Sequence, residues 1–204
     1  MTRKTAYLIR HAQSHPSSKI VEANWPLSAR GQEQAAQLSP LLESLDIDRV
    51  YSSPYRRTLC TIDPFVKKLG LEVVVDPELR ERKITDRVRK DFPELWLRSW
   101  RDFSFALPGC ESSFDAQRRF VGAVTRIVTE EASPTIGISA HGNVIALMLN
   151  HMEPGYGSEE ADRLRNPDVI KLDLCDGRLG WDRSFRLSGI DHIVTFHEDT
   201  PIDW

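Results

Sequence analysis

Two short apolar runs in this sequence each stop abruptly at a histidine. The first, over residues 5–9, is followed by Arg10 and His11, and the second, over residues 135–140, is followed by His141. Because ligands of α/β proteins bind where parallel strands end, reactive side chains are expected at these two corners. An imidazole beside a guanidinium suits nucleophilic attack on an anionic group. Taken alone, the pair Arg10-His11 is equally typical of a solvated loop.

Strand and helix patterns alternate along most of the chain. Strands are predicted over 5–9, 48–51, 71–76, 135–140 and 169–174, and helices over 30–44, 55–69, 112–131 and 143–151. This alternation predicts an α/β fold, a three-layer α/β/α sandwich with a mostly parallel central sheet. The later strands, joined by a hairpin turn at Asp176-Gly177, are expected at the far edge of the sheet. The length favours a single domain, residues 1–204.

Composition excludes several classes of partner and site. A net charge of -3 gives no global attraction to nucleic acid or to an anionic membrane. The three cysteines, Cys60, Cys110 and Cys175, are far apart, so they predict neither a disulfide framework nor a zinc site. No run approaches the roughly 18 apolar residues of a membrane span. We therefore expect a cytoplasmic protein whose partner is a small molecule, and the oligomeric state is left open.

Residues 80–111 interrupt the alternation and predict a small flap over the sheet edge. Eight basic residues lie among aromatic and apolar ones: Arg80, Arg82, Lys83, Arg87, Arg89, Lys90, Arg98 and Arg101. Trp96 and Trp100 are four apart and would share one face of a short helix. Either these aromatics pin the insertion to the domain, or they form a pocket wall, with basic side chains reaching further anionic groups of a substrate.

Four motifs in order resemble the histidine phosphatase superfamily, the phosphoglycerate-mutase-like proteins. They are Arg10-His11, Ser53-Pro54-Tyr55-Arg56-Arg57, Leu79-Arg80-Glu81 and His141-Gly142, and the stretch from Pro26 to Ala35 resembles the family's first loop-to-helix junction. The resemblance spans roughly residues 5 to 150. Each motif is weak alone, but four in the right order are specific.

The resemblance implies a role for each motif residue. His11 would attack phosphorus as a neutral ring, a form that the neighbouring cations Arg10 and Arg57 favour. Both arginines would bind the phosphate oxygens, and His141, as an imidazolium, would donate to the same group. Glu81 would protonate the leaving oxygen and then activate water.

Two neighbouring residues compete for these roles, and some positions differ from the family pattern. Arg56 competes with Arg57, although the family spacing selects Arg57, and Glu78 competes weakly with Glu81. Ala12 replaces the family's usual Gly after the first His, which a negative φ would permit.

Ser17 stands where the family often has Asn, and its shorter hydroxyl can still bind a phosphate oxygen. No Gly follows Glu81 at the usual distance, so the start of the flap departs from the family pattern directly after the expected acid.

The leading interpretation is a metal-independent phosphomonoesterase of the phosphatase branch that acts on a small phosphorylated substrate through a phosphohistidine on His11. No His-Glu-x-x-His motif is present, and we predict no catalytic metal and no cofactor. A serine hydrolase is disfavoured because His141 replaces the second Gly of the nucleophile elbow. The alternatives are a phosphoglycerate-type mutase and a non-catalytic module that binds phosphorylated ligands.

Overall fold

The central sheet is built from short, mostly apolar strands. The computed structural model describes residues 4–196. Within that range the strands are β1 (Lys4–Arg10), β2 (Arg49–Ser52), β3 (Val73–Val75), β4 (Thr135–Ala140), β5 (Asp168–Cys175) and β6 (Arg178–Trp181). Their order is β3-β2-β4-β1-β5-β6. The first four are parallel neighbours, whereas β5 runs antiparallel to β1 and β6 antiparallel to β5. The predicted mostly parallel sheet is confirmed.

The β5–β6 hairpin forms the far edge of the sheet, as the sequence predicted. Its turn residues Asp176 and Gly177 have φ of 51° and 76°. A two-residue turn of this kind needs positive φ at both positions, which Gly adopts freely and Asp tolerates.

Helices fill the connections between the strands. They are α1 (Ala29–Glu43), α2 (Arg56–Leu69), α3 (Phe92–Arg101), α4 (Ser113–Glu130), α5 (Gly142–Met152) and α6 (Ser158–Asp162), with short 3-10 turns at Glu22–Asn24, Pro77–Leu79 and Ile190–His192. The four long helices agree with the sequence prediction within one residue at each end. None of the helices between residues 4 and 196 is long and apolar enough to cross a membrane.

Successive side chains of a strand point to opposite faces of the sheet. Both faces of the sheet therefore carry apolar side chains, and helices cover both. Ala6 and Leu8 of β1 pack on one side, in a core shared with α4 and α5. Tyr7 and Ile9 pack on the other side, against α1 and α2. Burial of one large apolar side chain contributes about 1.5–3 kcal/mol to the stability of the fold. One core on each face of the sheet gives the predicted three layers.

The segment from residue 80 to 111 contains α3 and otherwise irregular backbone. Trp96 and Trp100 lie on one face of α3, with ring centroids 6.1 Å apart, and both pack against the core on the α4–α5 side. The prediction of a shared helix face is therefore correct. That residues 1–204 form one domain stays a prediction.

Candidate active site

Strand register brings the two histidines together. β1 and β4 pair in parallel with Arg10 opposite Ala140, so His11 and His141 follow the same edge of the sheet. The His11 N–H donates to the Ala140 carbonyl at 3.1 Å. The two imidazole rings meet edge-on with centroids 5.3 Å apart.

The neighbours of His11 determine which ring nitrogen can react. Nδ1 lies 2.7 Å from the Ala12 carbonyl, an acceptor only, so Nδ1 carries the proton. Nε2 accepts a hydrogen bond from Arg57 Nε at 3.2 Å. Burial first, and then the charges of Arg57 and Arg10, hold the pKa of His11 well below its usual value. His11 is thus a neutral imidazole with the lone pair of Nε2 directed at a guanidinium.

Arg57 is buried in the first turn of α2, whereas Arg56 is exposed. The structure therefore places Arg57, and not Arg56, beside His11. Arg57 also donates from Nη2 to Glu22 Oε1 at 2.8 Å and from Nη1 to the Glu22 carbonyl at 3.0 Å. Glu22 was not identified from the sequence. It lies in a short 3-10 turn 35 residues from Arg57, and no local pattern marks it.

Arg10 enters the site from the end of β1. Its Nη1 donates to the Leu164 carbonyl, and its Nε is buried with no hydrogen-bond partner in the described part of the chain. A Cβ on Gly142 would lie 2.9 Å from both Cζ and Nε of Arg10. Only glycine at position 142 leaves space for this guanidinium.

His141 is fully buried and carries the second unpartnered nitrogen. Its Nε2 lies 2.8 Å from Ser53 Oγ, while its Nδ1 has no partner within residues 4–196. Burial first, and then the charge of Arg57, lower the pKa of His141 well below its usual value. The protein environment by itself therefore favours the neutral ring, not the imidazolium expected from the sequence. The charge of a phosphate group would act in the opposite direction.

Glu81 caps the helix that follows His141. Its Oε1 accepts from the N–H groups of Arg82 (2.8 Å) and Val144 (3.2 Å), and its Oε2 accepts from Asn143 N–H (3.2 Å). Burial raises the pKa of this carboxyl, while Arg57 and the backbone hydrogen bonds oppose the rise. The competing residue Glu78 is exposed and pairs with Arg80 at 3.0 Å.

The loop after His11 carries the two departures noted in the sequence. Ala12 is buried, donates its N–H to Thr61 Oγ1 at 2.9 Å and does not have the positive φ that would require glycine. The hydroxyl of Ser17 accepts from Lys19 N–H, and its carbonyl accepts from Trp25 Nε1 at 3.0 Å. The Trp25 ring lies 5.6 Å from the Arg57 guanidinium. These contacts place Ser17 next to the site, and its role as a phosphate ligand stays a prediction.

Asn166 and Gln34 hold the His11 loop from outside the motifs. Asn166 Nδ2 donates to the His11 carbonyl at 2.8 Å, and Gln34 Oε1 accepts from Gln13 N–H at 2.8 Å. Gln34 Nε2 in turn donates to the Asn166 carbonyl at 2.7 Å. The contact between Asn166 and His11 joins residues 155 positions apart, and nothing in the local sequence signals it.

A cavity of about 430 Å³ opens beside Arg10, His11 and Glu81. Its lining also includes residues of α3 and of the start of α5, with Trp96 Nε1 donating to Asn143 Oδ1 at 2.7 Å. Trp96 therefore both pins the insertion and lines the pocket. None of the eight basic residues of 80–111 is among the lining residues. The suggestion that these cations reach a substrate has no support in the geometry.

Residues 4–196 contain no group of three or more His, Cys, Asp or Glu side chains placed to hold a metal ion. That catalysis proceeds without a metal stays a prediction.

Comparison with known proteins places this arrangement in a family. The sequence matches the model described as "Histidine phosphatase superfamily (branch 1)" over residues 6–183. A protein of Escherichia fergusonii named "Probable phosphoglycerate mutase GpmB" is 31% identical over 193 residues, which cover 86% of this chain and 88% of that protein.

Solved structures show the same fold. The mycobacterial glucosyl-3-phosphoglycerate phosphatase superimposes with a TM-score of 0.72 at 23% identity, over 88% of this chain and 97% of that chain. The alpha-ribazole phosphatase from Shigella flexneri gives a TM-score of 0.69 at 23% identity, over 87% and 94%. At this identity the likeness concerns the fold alone.

Proposed function

The chain belongs to branch 1 of the histidine phosphatase superfamily, and on that premise we propose that it is a metal-independent phosphomonoesterase. It hydrolyses a small phosphorylated substrate through a phosphohistidine on His11. Arg10 and Arg57 bind the phosphate oxygens, with His141 and Ser17 as further donors, and Glu81 is the acid and base.

The observation that carries this proposal is the hydrogen bonding of the His11 ring. With Nδ1–H donated to the Ala12 carbonyl, the ring lone pair belongs to Nε2, where it accepts from Arg57 Nε; a phosphate group that takes over this guanidinium would free the lone pair for attack. Two buried nitrogen atoms beside it, Arg10 Nε and His141 Nδ1, have no partner among the described residues. An unsatisfied buried polar atom costs about 1–3 kcal/mol, and a bound phosphate group would supply the missing partners.

The first step transfers the phosphoryl group to the protein. The lone pair of His11 Nε2 forms a bond to phosphorus as the bond from phosphorus to the ester oxygen breaks. Arg10 and Arg57 neutralise the charge on the non-bridging oxygens. Glu81, whose pKa is raised by burial, acts in its protonated form and gives its proton to the departing alcohol oxygen.

The second step returns the ring to its starting state. Glu81, now a carboxylate, takes a proton from water as the water oxygen attacks phosphorus and the N–P bond breaks. Inorganic phosphate leaves, Glu81 is protonated again and Nε2 recovers its lone pair. Glu81 and His11 line the same cavity, so both steps occur in one place.

The test is release of phosphate in the presence of EDTA from a panel of sugar phosphates, phosphoglycerates, nucleotides and phosphopeptides. His11→Ala should lower release by on the order of a thousandfold, since it removes the nucleophile. His192→Ala, in an exposed 3-10 turn, is the matched control and should retain wild-type activity. Labelled substrate quenched in alkali should leave acid-labile phosphate on His11. A folded His11→Ala protein with normal turnover would refute the covalent mechanism.

The name of the relative from Escherichia fergusonii supports a mutase as the second candidate. A mutase must hold its phosphohistidine away from water, and only about thirty residues are available here to cover the site. Phosphorus NMR with 2- or 3-phosphoglycerate separates the two candidates. We expect free phosphate to be the main product, and rapid interconversion of the two esters with little phosphate would establish the mutase. Binding of phosphate without any turnover would establish the non-catalytic module.

A further inference from the structure

The part of the cavity lining that α3 contributes is apolar. Phe92 and Leu97 of α3 are large hydrophobic residues that remain 38% exposed, and both line the cavity. Trp96 lies between them in sequence and lines it as well, with its ring nitrogen already bonded to Asn143. Ala146 of α5 continues the surface. Apolar side chains exposed together in a concave site mark a surface that a ligand covers.

The charges around this cavity are uneven. Arg10, at the phosphate end, is the one Lys or Arg among the described residues that line it. Glu159 and Asp162 line it elsewhere, and both are exposed. Among the described residues that line the cavity, a second anionic group on a substrate would therefore meet carboxylates and no cation other than Arg10.

The basic residues of the insertion are engaged elsewhere. Arg82 donates to the hydroxyls of Ser99 and Ser113. Other arginines of the segment are also held, Arg89 by Asp91 at 2.7 Å and Arg98 over the Phe105 ring. These three cations thus contact the insertion itself and not the cavity.

We propose that the substrate is a phosphomonoester of an alcohol that carries an apolar ring and no second anionic group. This inference rests on the function proposed above. The ring would lie against Phe92, Trp96 and Leu97, since aromatic and aliphatic side chains gain most from covering a flat apolar body. The cavity volume of about 430 Å³ lies in the range that encloses a small organic molecule.

The first experiment compares three substrates of matched chemistry: benzyl phosphate, 4-carboxybenzyl phosphate and glycerol 3-phosphate. The carboxylate is remote from the ester oxygen, so the first two leaving alcohols have similar reactivity. We expect kcat/KM for benzyl phosphate to exceed that for glycerol 3-phosphate by about tenfold or more, because the ring covers the apolar wall. The added carboxylate should lower kcat/KM by about tenfold.

The second experiment places a cation in the wall. Leu97→Lys should raise the ratio of activity on 4-carboxybenzyl phosphate to that on benzyl phosphate by about tenfold. Leu97→Gln, polar but uncharged, should leave this ratio near its wild-type value. Glu94→Gln makes the same change of one charge on the same helix outside the cavity lining, and it should not alter the ratio either.

The possible results separate this inference from the proposed function. Release of phosphate from all three substrates without preference, or a preference for the carboxylated one, would overturn the substrate class while the phosphatase stands. Release from none of these or of the wider panel would overturn the phosphatase itself. A ratio that shifts equally in Leu97→Lys and Glu94→Gln would show that net charge, not the wall, is responsible.

Discussion

At the scale of single residues, the site is marked by two buried nitrogen atoms without a partner among the described residues and by one glycine. Arg10 Nε and His141 Nδ1 are buried without partners among the described residues, and Gly142 contacts the Arg10 guanidinium. The sequence motif His141-Gly142 gave the histidine an expected role but gave none to the glycine. The structure supplies the reason for the glycine, which is the close approach of Arg10.

We predict that Gly142→Ala lowers kcat/KM by about 10- to 100-fold while the protein stays folded. The new methyl group would lie 2.9 Å from Arg10 Cζ and displace this proposed phosphate ligand, and small displacements in an active site carry penalties of this size. Gly122→Ala, in the middle of α4 with open space around it, is the control. It should leave activity unchanged and raise the free energy of unfolding by about 0.5–1 kcal/mol. Equal activity of the two variants would contradict the assignment of Arg10.

If His11 is the nucleophile and Glu81 the acid, the pKa directions predict how each limb of the pH profile is displaced from the ordinary pKa of its group. His11 must be neutral, and its lowered pKa moves the acid limb of the kcat/KM profile to well below pH 6.5. Glu81 must be protonated in the first step, and its raised pKa moves the alkaline limb above pH 4.5. Glu81→Gln should abolish the alkaline limb that Glu81 causes. An alkaline limb at the same pH in Glu81→Gln as in the wild type would show that Glu81 does not cause it.

At the scale of elements, α1 and α4 each begin at a serine N-cap, but the two caps differ in what else they contact. Ser28 caps α1 by accepting from Gly31 N–H, and Ser112 caps α4 by accepting from Asp115 N–H, each at 3.0 Å. Ser28 also donates to Gln13 Oε1 at 2.6 Å, in the loop that follows His11. Only the first cap is thus connected to the site.

We predict that Ser28→Ala and Ser112→Ala each lower the free energy of unfolding by about 1 kcal/mol, the usual contribution of a helix cap. Ser28→Ala should in addition reduce kcat, because the His11 loop loses an anchor, whereas Ser112→Ala should not. Urea unfolding and steady-state kinetics on both proteins provide the comparison. A loss of activity in Ser112→Ala equal to that in Ser28→Ala would show that activity follows overall stability instead.

Whether the sequence predicts a helix or a contact depends on how far apart in the chain the interacting residues are. The start of α1 follows from a local signal, Ser28 before an amphipathic pattern, and the prediction was correct within one residue. Short-range motifs likewise identified Arg57 and Glu81, which the structure places in one site. Glu22 and Asn166 contact that site through pairs 35 and 155 positions apart, and such contacts leave no local pattern to read. The helix α6 was missed because five residues are too few for periodicity.

At the scale of the whole molecule, Arg82 ties the insertion to the body. It is buried, and burial lowers its pKa to about 10. Its guanidinium donates to Ser99 on α3, to Ser113 on α4 and to the Glu111 carbonyl. The basic composition of the segment suggested contacts with substrate, whereas this cation stabilises the junction of two helices.

Arg82→Ala should therefore lower the free energy of unfolding by about 3–5 kcal/mol, the typical result of breaking a buried charged network. Arg101→Ala removes the same charge from an exposed position on α3 and should change stability by less than about 0.5 kcal/mol. Denaturant titration measures both. Hydrogen exchange should show faster exchange across α3 in Arg82→Ala, and unchanged protection there would mean that the insertion is held by its aromatic contacts alone.

If Arg57 binds phosphate as proposed, its contact with Glu22 would make the site selective among anions. A carboxylate at 2.8 Å already neutralises much of the Arg57 charge, so a monovalent anion such as chloride gains little by approaching it. A phosphate dianion with three acceptor oxygens can offer Arg10, Arg57 and His141 more than Glu22 does. Glu22 is partly exposed and can rotate towards water when it is displaced. The protein would thus resist inhibition by cellular salt at a modest loss of affinity for phosphate.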